Sequence, residues 1–597
     1  MPFSFRPGSI ARTFITQALF LTSLLVLAGC KGLTSTSKPS PTIAFDPTLF
    51  PTQTDAAAVL PSSTPSASLP VTTQPAETAP VSRLEDRIIL AFTMEGHDHL
   101  FAYFPLSQPF TQLTSGDFDD RDPSVSPDGT KIAFSSNRSG FWDLYLLDLA
   151  SGVVSQLTNS QAYDGAPSWS PDGQWLTFET YNGTHFDIVV MPVVDQSTPA
   201  IQLTQDAGSN FSPRWSPAGR EIAFISDRSG SNEIWIARLD LVEARFVRVI
   251  GSPGVSYTSP AWSPDGTMLA WTKTVEGFSK IEIAPLANLP GDIRSFGEGS
   301  NAIWSQDGTS LLIQLPDPNA SYLTAYRVDN GVLLFPAEYF SSAIHGMDWR
   351  TASLVNGLPA VDPQPDNQPV YPLWQKEISS AAAITERQSL AALTNVKTPY
   401  AYLLPAVVEP FQSLREAASN QLGWDFLGTL DDAVLPISAP PQPGIDENWL
   451  YTGRAINVNS TPLQSEWMTV TREDFGGKVY WRLWVRCFDQ DGSCGEPQKA
   501  PAWDISSRYQ GDEAAYEGGG QLGRIPVGYW VDFTRLASAF EFERLPAMSN
   551  WRSYFQGTLF NQFVLKQGLS WNEAMLQLYP ADAVTNLSGN IPLPVQQ

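Results

Sequence analysis

Trp169-Ser170-Pro171-Asp172-Gly173-Gln174-Trp175-Leu176-Thr177-Phe178 is the stretch that decides how this chain is read. Proline pre-sets φ, and Asp and Gly accept the conformations that reverse a chain between two strands. The same turn stands at Ser126-Pro-Asp-Gly129, Ser216-Pro-Ala-Gly219, Ser263-Pro-Asp-Gly266 and Ser305-Gln-Asp-Gly308, at spacings of 44, 46, 47 and 42. Trp169, Trp215, Trp262 and Trp304 directly precede the Ser. A strand-like run follows each turn (Lys131-Ile-Ala-Phe134, Glu221-Ile-Ala-Phe224, Met268-Leu-Ala-Trp271), then a second (Asp143-Leu-Tyr-Leu-Leu147, Asp187-Ile-Val-Val190, Glu233-Ile-Trp-Ile236). Gln156-Leu-Thr158 and Gln202-Leu-Thr204 supply a short fourth strand.

Four short strands every ~45 residues is the period of a propeller blade. The repeats resemble the TolB-type six-bladed propeller over residues 85–350. Five units carry the turn. The sixth is assembled from both ends: Ile88–Phe92, Leu100–Tyr103 and Phe110–Thr114 lack an innermost strand, which Met347-Asp-Trp349 would supply. Such closure removes an open, aggregation-prone edge. The expected fold is an all-β six-bladed propeller followed by an α+β C-terminal domain.

Composition agrees. In 597 residues, 49 Pro and 42 Gly favour turns, and 19 Trp, 18 Tyr and 32 Phe favour strands. A net charge of −25 excludes nucleic acid as a general partner, since a phosphate backbone would be repelled. It would also repel an anionic membrane unless a covalent anchor held the protein there.

The first 29 residues read as an export signal: Arg6 and Arg12, then an uncharged run from Thr13 to Gly29. Leu27-Ala28-Gly29-Cys30 resembles the lipobox of bacterial lipoproteins. The resemblance implies cleavage before Cys30 and acylation of its thiol, hence a lipid-anchored protein on the exoplasmic side of the cell envelope. Residues 31–84 hold nine Pro and eighteen Ser or Thr with six charges, a tether reaching on the order of 40 Å.

Within the propeller, Asp120, Asp164 and Asn210 each stand three positions before an inner-strand Pro, and are expected to gather at the mouth of the channel. A ring of such groups suits a cation or a peptide amine; each capping a turn is the plainer expectation. Arg138 and Arg228 occupy Ser-x-Arg-Ser-Gly hairpins before Asp143 and Glu233, which predicts pairing inside a blade. His97-Asp98-His99 has metal-ligand spacing, but repeat alignment sets His99 on Asp143 and predicts a surface hairpin with no metal. His185 and His345 read as ordinary. A propeller followed by more chain also raises the prolyl-oligopeptidase architecture, but no Gly-x-Ser-x-Gly occurs and no His follows His345.

Residues 351–379 read as a linker, centred on Asp362-Pro-Gln-Pro-Asp-Asn-Gln-Pro369, and 380–590 as the α+β domain. Phe411, Leu414, Ala418 and Leu422 keep helical spacing that Gly423 ends. Asp532 caps a second helix through Phe533, Leu536, Ala537 and Phe540, and Ser570-Trp-Asn-Glu573 is a capping box. Strands are predicted at Trp449–Asn457, Trp467–Arg472 and Val479–Cys487. Pro443–Asn457 resembles a segment of zinc D-Ala-D-Ala carboxypeptidases of the VanY type, with Leu450 and Asn457 where that family's zinc ligands stand. The resemblance implies a catalytically silent relative. Cys487 and Cys494, in an exported chain, are expected to form a disulfide. Glu473-Asp474, Asp512-Glu513, Asp489 and Asp491 read as solvated acids.

No catalytic residue, metal or cofactor is expected. The reading is a non-catalytic binding or scaffolding lipoprotein whose partner is an envelope protein or peptidoglycan. The alternatives are a hydrolase of cell-wall peptide or glycan, and solute capture in the propeller channel.

Overall fold

The computed structural model describes residues 86–354, 360–361 and 387–589, except 95, 105, 106 and 196. The signal, Cys30, the tether and most of the 351–379 linker lie outside them. None of the described helices is long and apolar enough to cross a membrane.

Six antiparallel sheets follow from the repeat. Their innermost strands are Asp120–Val125, Tyr163–Trp169, Asn210–Trp215, Val255–Trp262, Ser300–Trp304 and Ile344–Thr351. Five sheets have four strands; the sixth also takes up Ala360–Val361 along its outer edge. Ile344–Thr351 pairs with Asp86–Met94, Trp349 opposite Ile88, so the strand around Met347-Asp-Trp349 completes the first sheet. Each innermost strand touches that of the next sheet, and the last returns to the first.

The turn sequence explains its own recurrence. Ser126, Ser170, Ser263 and Ser305 donate from Oγ to the Asp two residues on, at 2.5–2.6 Å. The same hydroxyl accepts the backbone N–H five residues on, at 2.9–3.0 Å. Gly129, Gly173, Gly266 and Gly308 hold φ near +70°, the left-handed region that favours glycine. The Trp before the Ser joins the sheets: Trp169, Trp262 and Trp304 donate from Nε1 to Ser124, Arg214 and Ala261 carbonyls of the preceding inner strand, at 3.0–3.1 Å.

Beyond the ring, helix Pro405–Leu422 ends on Gly423 at φ +75°, Asp532 caps Phe533–Ala539, and Ser570 and Glu573 form the capping box of Trp571–Leu576. Two four-stranded sheets accompany them, one built on Met468–Phe475 and Lys478–Arg486, the other on Ala455–Val458 and Gln562–Val564. The predicted strand over Trp449–Asn457 is half right. Trp449–Thr452 is a 3₁₀ turn capped by Asn448 and closed by Gly453 at φ +65°, and only Ala455–Val458 is extended. Cys487 and Cys494 are joined, with Cα atoms 6.1 Å apart.

The ring and the C-terminal part share one apolar core. A single cluster runs from Tyr181, Phe186 and Phe211 of the ring to Phe411, Trp481 and Tyr529. Tyr181 and Tyr529 meet edge to face at 5.4 Å, and Tyr181 Oη accepts the Gly528 N–H at 2.7 Å. All the described residues belong to one compact unit.

Candidate functional site at the mouth of the ring

Every innermost strand breaks register at the same place. Asp122, Ala166, Ser212, Ser259 and Asn301 sit there with φ of +49° to +52°, and Gly346 with +111°. A bulge re-aims side chains and ends pairing. These six residues, one position before the inner-strand Pro where there is one, converge. A Cβ on Gly346 would lie 2.7 Å from Asp122 Cα, which only glycine avoids. Ser259 donates to Asn301 Oδ1 at 2.6 Å.

The predicted trio stands elsewhere. Asp120, Asp164 and Asn210 are buried and bonded within their own sheets. Asp120 takes Arg138 at 2.7 Å, Asn210 takes Arg228 at 2.7 Å, and Asp164 takes Ser160 at 3.4 Å. Both arginines therefore pair inside a blade, as expected, but not with the acids that follow them. Asp143 is held by Ser139, Gln156 and Thr158, and Glu233 by Ser229 and Arg248.

The C-terminal part packs on the end of the ring that carries the mouth and the Arg138-type hairpins. It inserts charge there. Lys499 pairs with Glu179 and sits 5.8 and 5.7 Å over the Tyr163 and Phe186 rings, and its carbonyl accepts from Asn232 at 3.0 Å. Burial would lower the Lys499 ammonium pKa, but Glu179, Tyr163 and Asp122 outweigh it and hold it above its usual range. Burial in turn pushes the Asp122 carboxyl up, against the pull of Lys499.

Beside it lies a second knot. Asp98, fully buried, accepts from Arg121 at 2.5 Å, Arg535 at 2.7 Å and Thr93 at 2.7 Å, while Arg121 reaches Glu496 at 2.9 Å. Burial opposes the Asp98 charge, but Arg535 and Arg121 prevail and hold its carboxyl well below the usual range. His97-Asp98-His99 is thus no surface hairpin: Asp98 is 0% and His99 5% exposed, and the two imidazoles face different acids, Asp119 at 3.6 Å and Asp120 at 4.0 Å. His345, read as ordinary, lies 3.9 Å from Asp98, and burial drives its pKa down to about 3. His185 stays within its hairpin, beside Asn182 and Thr184.

Glu473 is not a solvated acid either. Arg482 at 2.7 Å and Arg544 at 2.5 Å enclose it, and although burial opposes ionisation, they bring its carboxyl down to about 2. Asp474 pairs with Arg472 at 2.8 Å, and its backbone N–H donates to the ring at Gly277 O, 2.9 Å away. Leu450 is buried among apolar side chains, and Asn457 bonds Asp432 and Gln562. Among the described residues no three His, Cys, Asp or Glu side chains are grouped to hold a metal ion.

Between the sheets whose innermost strands are Val255–Trp262, Ser300–Trp304 and Ile344–Thr351 and the C-terminal strands, a cavity of about 350 Å³ remains. Chemically the mouth is a set of spent charges. Glu179 faces the Lys499 ammonium, and Asp98 and Glu496 face guanidinium groups.

Residues 142–329 match the TolB beta propeller domain. No curated protein matches the chain. Among solved structures it is similar to TolB from Acinetobacter baumannii, at 21% identity over 44% of this chain and 66% of that one, TM-score 0.39. It is similar to a putative TolB from Agrobacterium tumefaciens, at 25% identity over 37% of this chain and 83% of that one, TM-score 0.32. A Mycobacterium tuberculosis puromycin-hydrolyzing peptidase shares 16% identity over 41% of this chain and 43% of that one, TM-score 0.32. The chain thus spans just under two thirds of the Acinetobacter protein, and the ring carries a TolB-type propeller domain inside a longer polypeptide.

Proposed function

We propose that this chain is a non-catalytic binding or scaffolding lipoprotein of the cell envelope. Acylated Cys30 holds it to a membrane on the exoplasmic side, residues 31–84 hold it off the surface, and 85–350 form a closed six-bladed propeller. One observation carries the reading: at the mouth, where the sequence leads us to expect a cation or a peptide amine, the chain places its own Lys499, Arg535 and Glu496. The ring's other end, bearing the Ser-Pro-Asp-Gly turns, is left for an envelope protein, with peptidoglycan as the second choice. Asp128, Asp172, Asp265 and Asp307 are all exposed there. We read the Pro443–Asn457 segment as a silent peptidase-like shape, since Leu450 offers no metal donor.

Photo-crosslinkers placed singly at Asp172 and Asp265 on the turn end, and at Thr184 and Asn319 on the hairpin end, test this in native envelopes. One defined adduct from the turn end and none from the hairpin end is expected. Adducts from the hairpin end alone would refute the assignment. Cys30→Ala should release the chain from membranes, read by fractionation.

A further inference from the structure

The 350 Å³ cavity is within the size range of small-ligand sites. Its walls come from both parts of the chain, so it exists only in the docked form. Trp484 and Phe475 line one side, from the hairpin of Met468–Phe475 and Lys478–Arg486, and Ile344 and Pro316 add apolar surface opposite. Between them lies polar surface of a particular kind. Asn301 donates to Gln314 at 2.9 Å, so an amide pair offers its remaining donors and acceptors. Ser300 adds a hydroxyl. His345 contributes the edge of its imidazole to the wall, while its buried Nε2 faces Asp98 at 3.9 Å and not the cavity. The low pKa of His345 keeps it a neutral donor–acceptor rather than a cation.

Charge decides the ligand class. Five carboxylates line the cavity: Glu473, Asp474, Glu496 and Asp532 are each paired with an arginine, and Glu298, exposed at its edge, is in no ion pair among the described residues. Arg482 and Arg535 are likewise committed, to Glu473, Asp532 and Asp98. Inside the cavity a strongly charged ligand would have to break one of these pairs and leave a buried charge uncompensated; only Glu298, at the solvent edge, could meet a cation without doing so. A neutral ligand with many hydroxyls uses what is left: the spare lone pairs of paired carboxylates, the amides, the imidazole and two aromatic faces.

We propose that this cavity binds a neutral, hydroxyl-rich ligand of mono- or disaccharide size. The site deepens the binding reading above, and rests on it in one respect: the ligand leaves unchanged.

The test uses the full-length acylated chain in detergent, with maltose, cellobiose and N,N′-diacetylchitobiose as neutral probes. Spermidine and digalacturonate are the charged controls. Calorimetry should show saturable binding of at least one neutral disaccharide, stronger than of either control. Trp484→Ala should weaken that binding by about 10-fold or more. Ser300→Trp, which fills the cavity, should abolish it with the unfolding temperature kept, and carries the test if the first variant fails to fold. The proposal is overturned if no neutral probe saturates below about 10 mM, if a charged control binds more tightly, or if Ser300→Trp still binds. Recovery of the probe as cleaved products would leave the site standing and overturn the non-catalytic reading instead.

Discussion

The two ends of the ring grow from one repeat and have opposite chemistry. At the turn end each Ser-Pro-Asp-Gly closes on itself: Ser, Asp and the backbone five residues on satisfy one another, and Pro and Asp face outward. At the hairpin end some groups close locally, as Arg138 does on Asp120, but the central charges do not. Asp98 needs Arg535, Arg121 needs Glu496 and Glu179 needs Lys499, partners 437, 375 and 320 residues away. A self-contained end can be presented to a partner, whereas an end that depends on remote charges commits the chain to one docked arrangement.

The largest expected effect follows from breaking that dependence. Asp98→Ala would leave buried Arg121 and half-buried Arg535 without their shared acceptor, at about 3–5 kcal/mol by the usual cost of halving a buried pair. Urea unfolding should show the midpoint falling sharply. A loss under about 1 kcal/mol would mean that the sealed end is held by its apolar core alone.

Next comes the Lys499–Glu179 pair, which sharpens the comparison by separating charge from shape. Each single change, Lys499→Met or Glu179→Met, strands the other charge and should destabilise by a few kcal/mol. The double change removes both charges and should recover most of that loss. Additive losses in the cycle would show that the pair is not coupled.

The same contrast explains what the sequence made legible. The repeat period, the Trp that joins sheet to sheet, the closing strand around Trp349 and the helix caps at Asp532 and Ser570 are local patterns, and the structure has them where the pattern puts them. The mouth was misplaced by two residues. Period-2 alternation treats Asp120 and Asp122 as equivalent, but the bulge after Arg121 sends Asp122 to the convergence point and leaves Asp120 inside its blade with Arg138. One signal was available. Nine residues after the turn Ser, the repeats carry Ser135, Glu179, Ile225, Thr272 and Gln314, and only Glu179 is charged. A lone carboxylate at an otherwise uncharged repeat position marks a partner from outside the ring. Lys499 and Arg535 carry no such mark, because nothing near them in sequence repeats.

Acid probes the hairpin end in two opposing directions, and the sign is set by which state takes up protons first. Glu473 and Asp119 are each brought down to about 2 and His345 to about 3, so the unfolded chain protonates before the folded one. Their contribution is complete above the unfolded values of 4.5, 3.8 and 6.5, and is lost as pH falls toward the folded ones. The hairpin end should therefore loosen from below pH 6.5, most steeply between about 4.5 and 2. Asp164 works in the other direction. Burial raises its carboxyl to about 6, so the folded chain keeps the proton longer and stability falls as pH rises from 3.8 to about 6. Asp164→Asn should remove that opposing slope and raise the unfolding temperature at pH 7. Thermal scans from pH 3 to 8, with and without the substitution, separate the two; an unchanged slope would mean that Asp164 ionises freely in the fold.

The smallest effect belongs to the turn end, and the chain has already run part of the experiment. In Ser216-Pro-Ala-Gly219 the Asp is absent, yet the Ser216 N–H still donates to Glu221 O at 2.8 Å and the Gly219 N–H still donates to Ser216 O, lengthened to 3.2 Å. What changes is local: Gly219 moves from the +70° of its counterparts to +133°. The Asp therefore sets the geometry of the tip more than it holds the two strands together, because the sheet behind it keeps its ladder either way. Asp265→Ala should accordingly cost under about 1 kcal/mol, while weakening capture of the partner assigned to this end. Unfolding and pull-down on the same variant give both readings. A destabilisation comparable to that of Asp98→Ala would erase the difference between the two ends and show that the turns, too, support the fold as a whole.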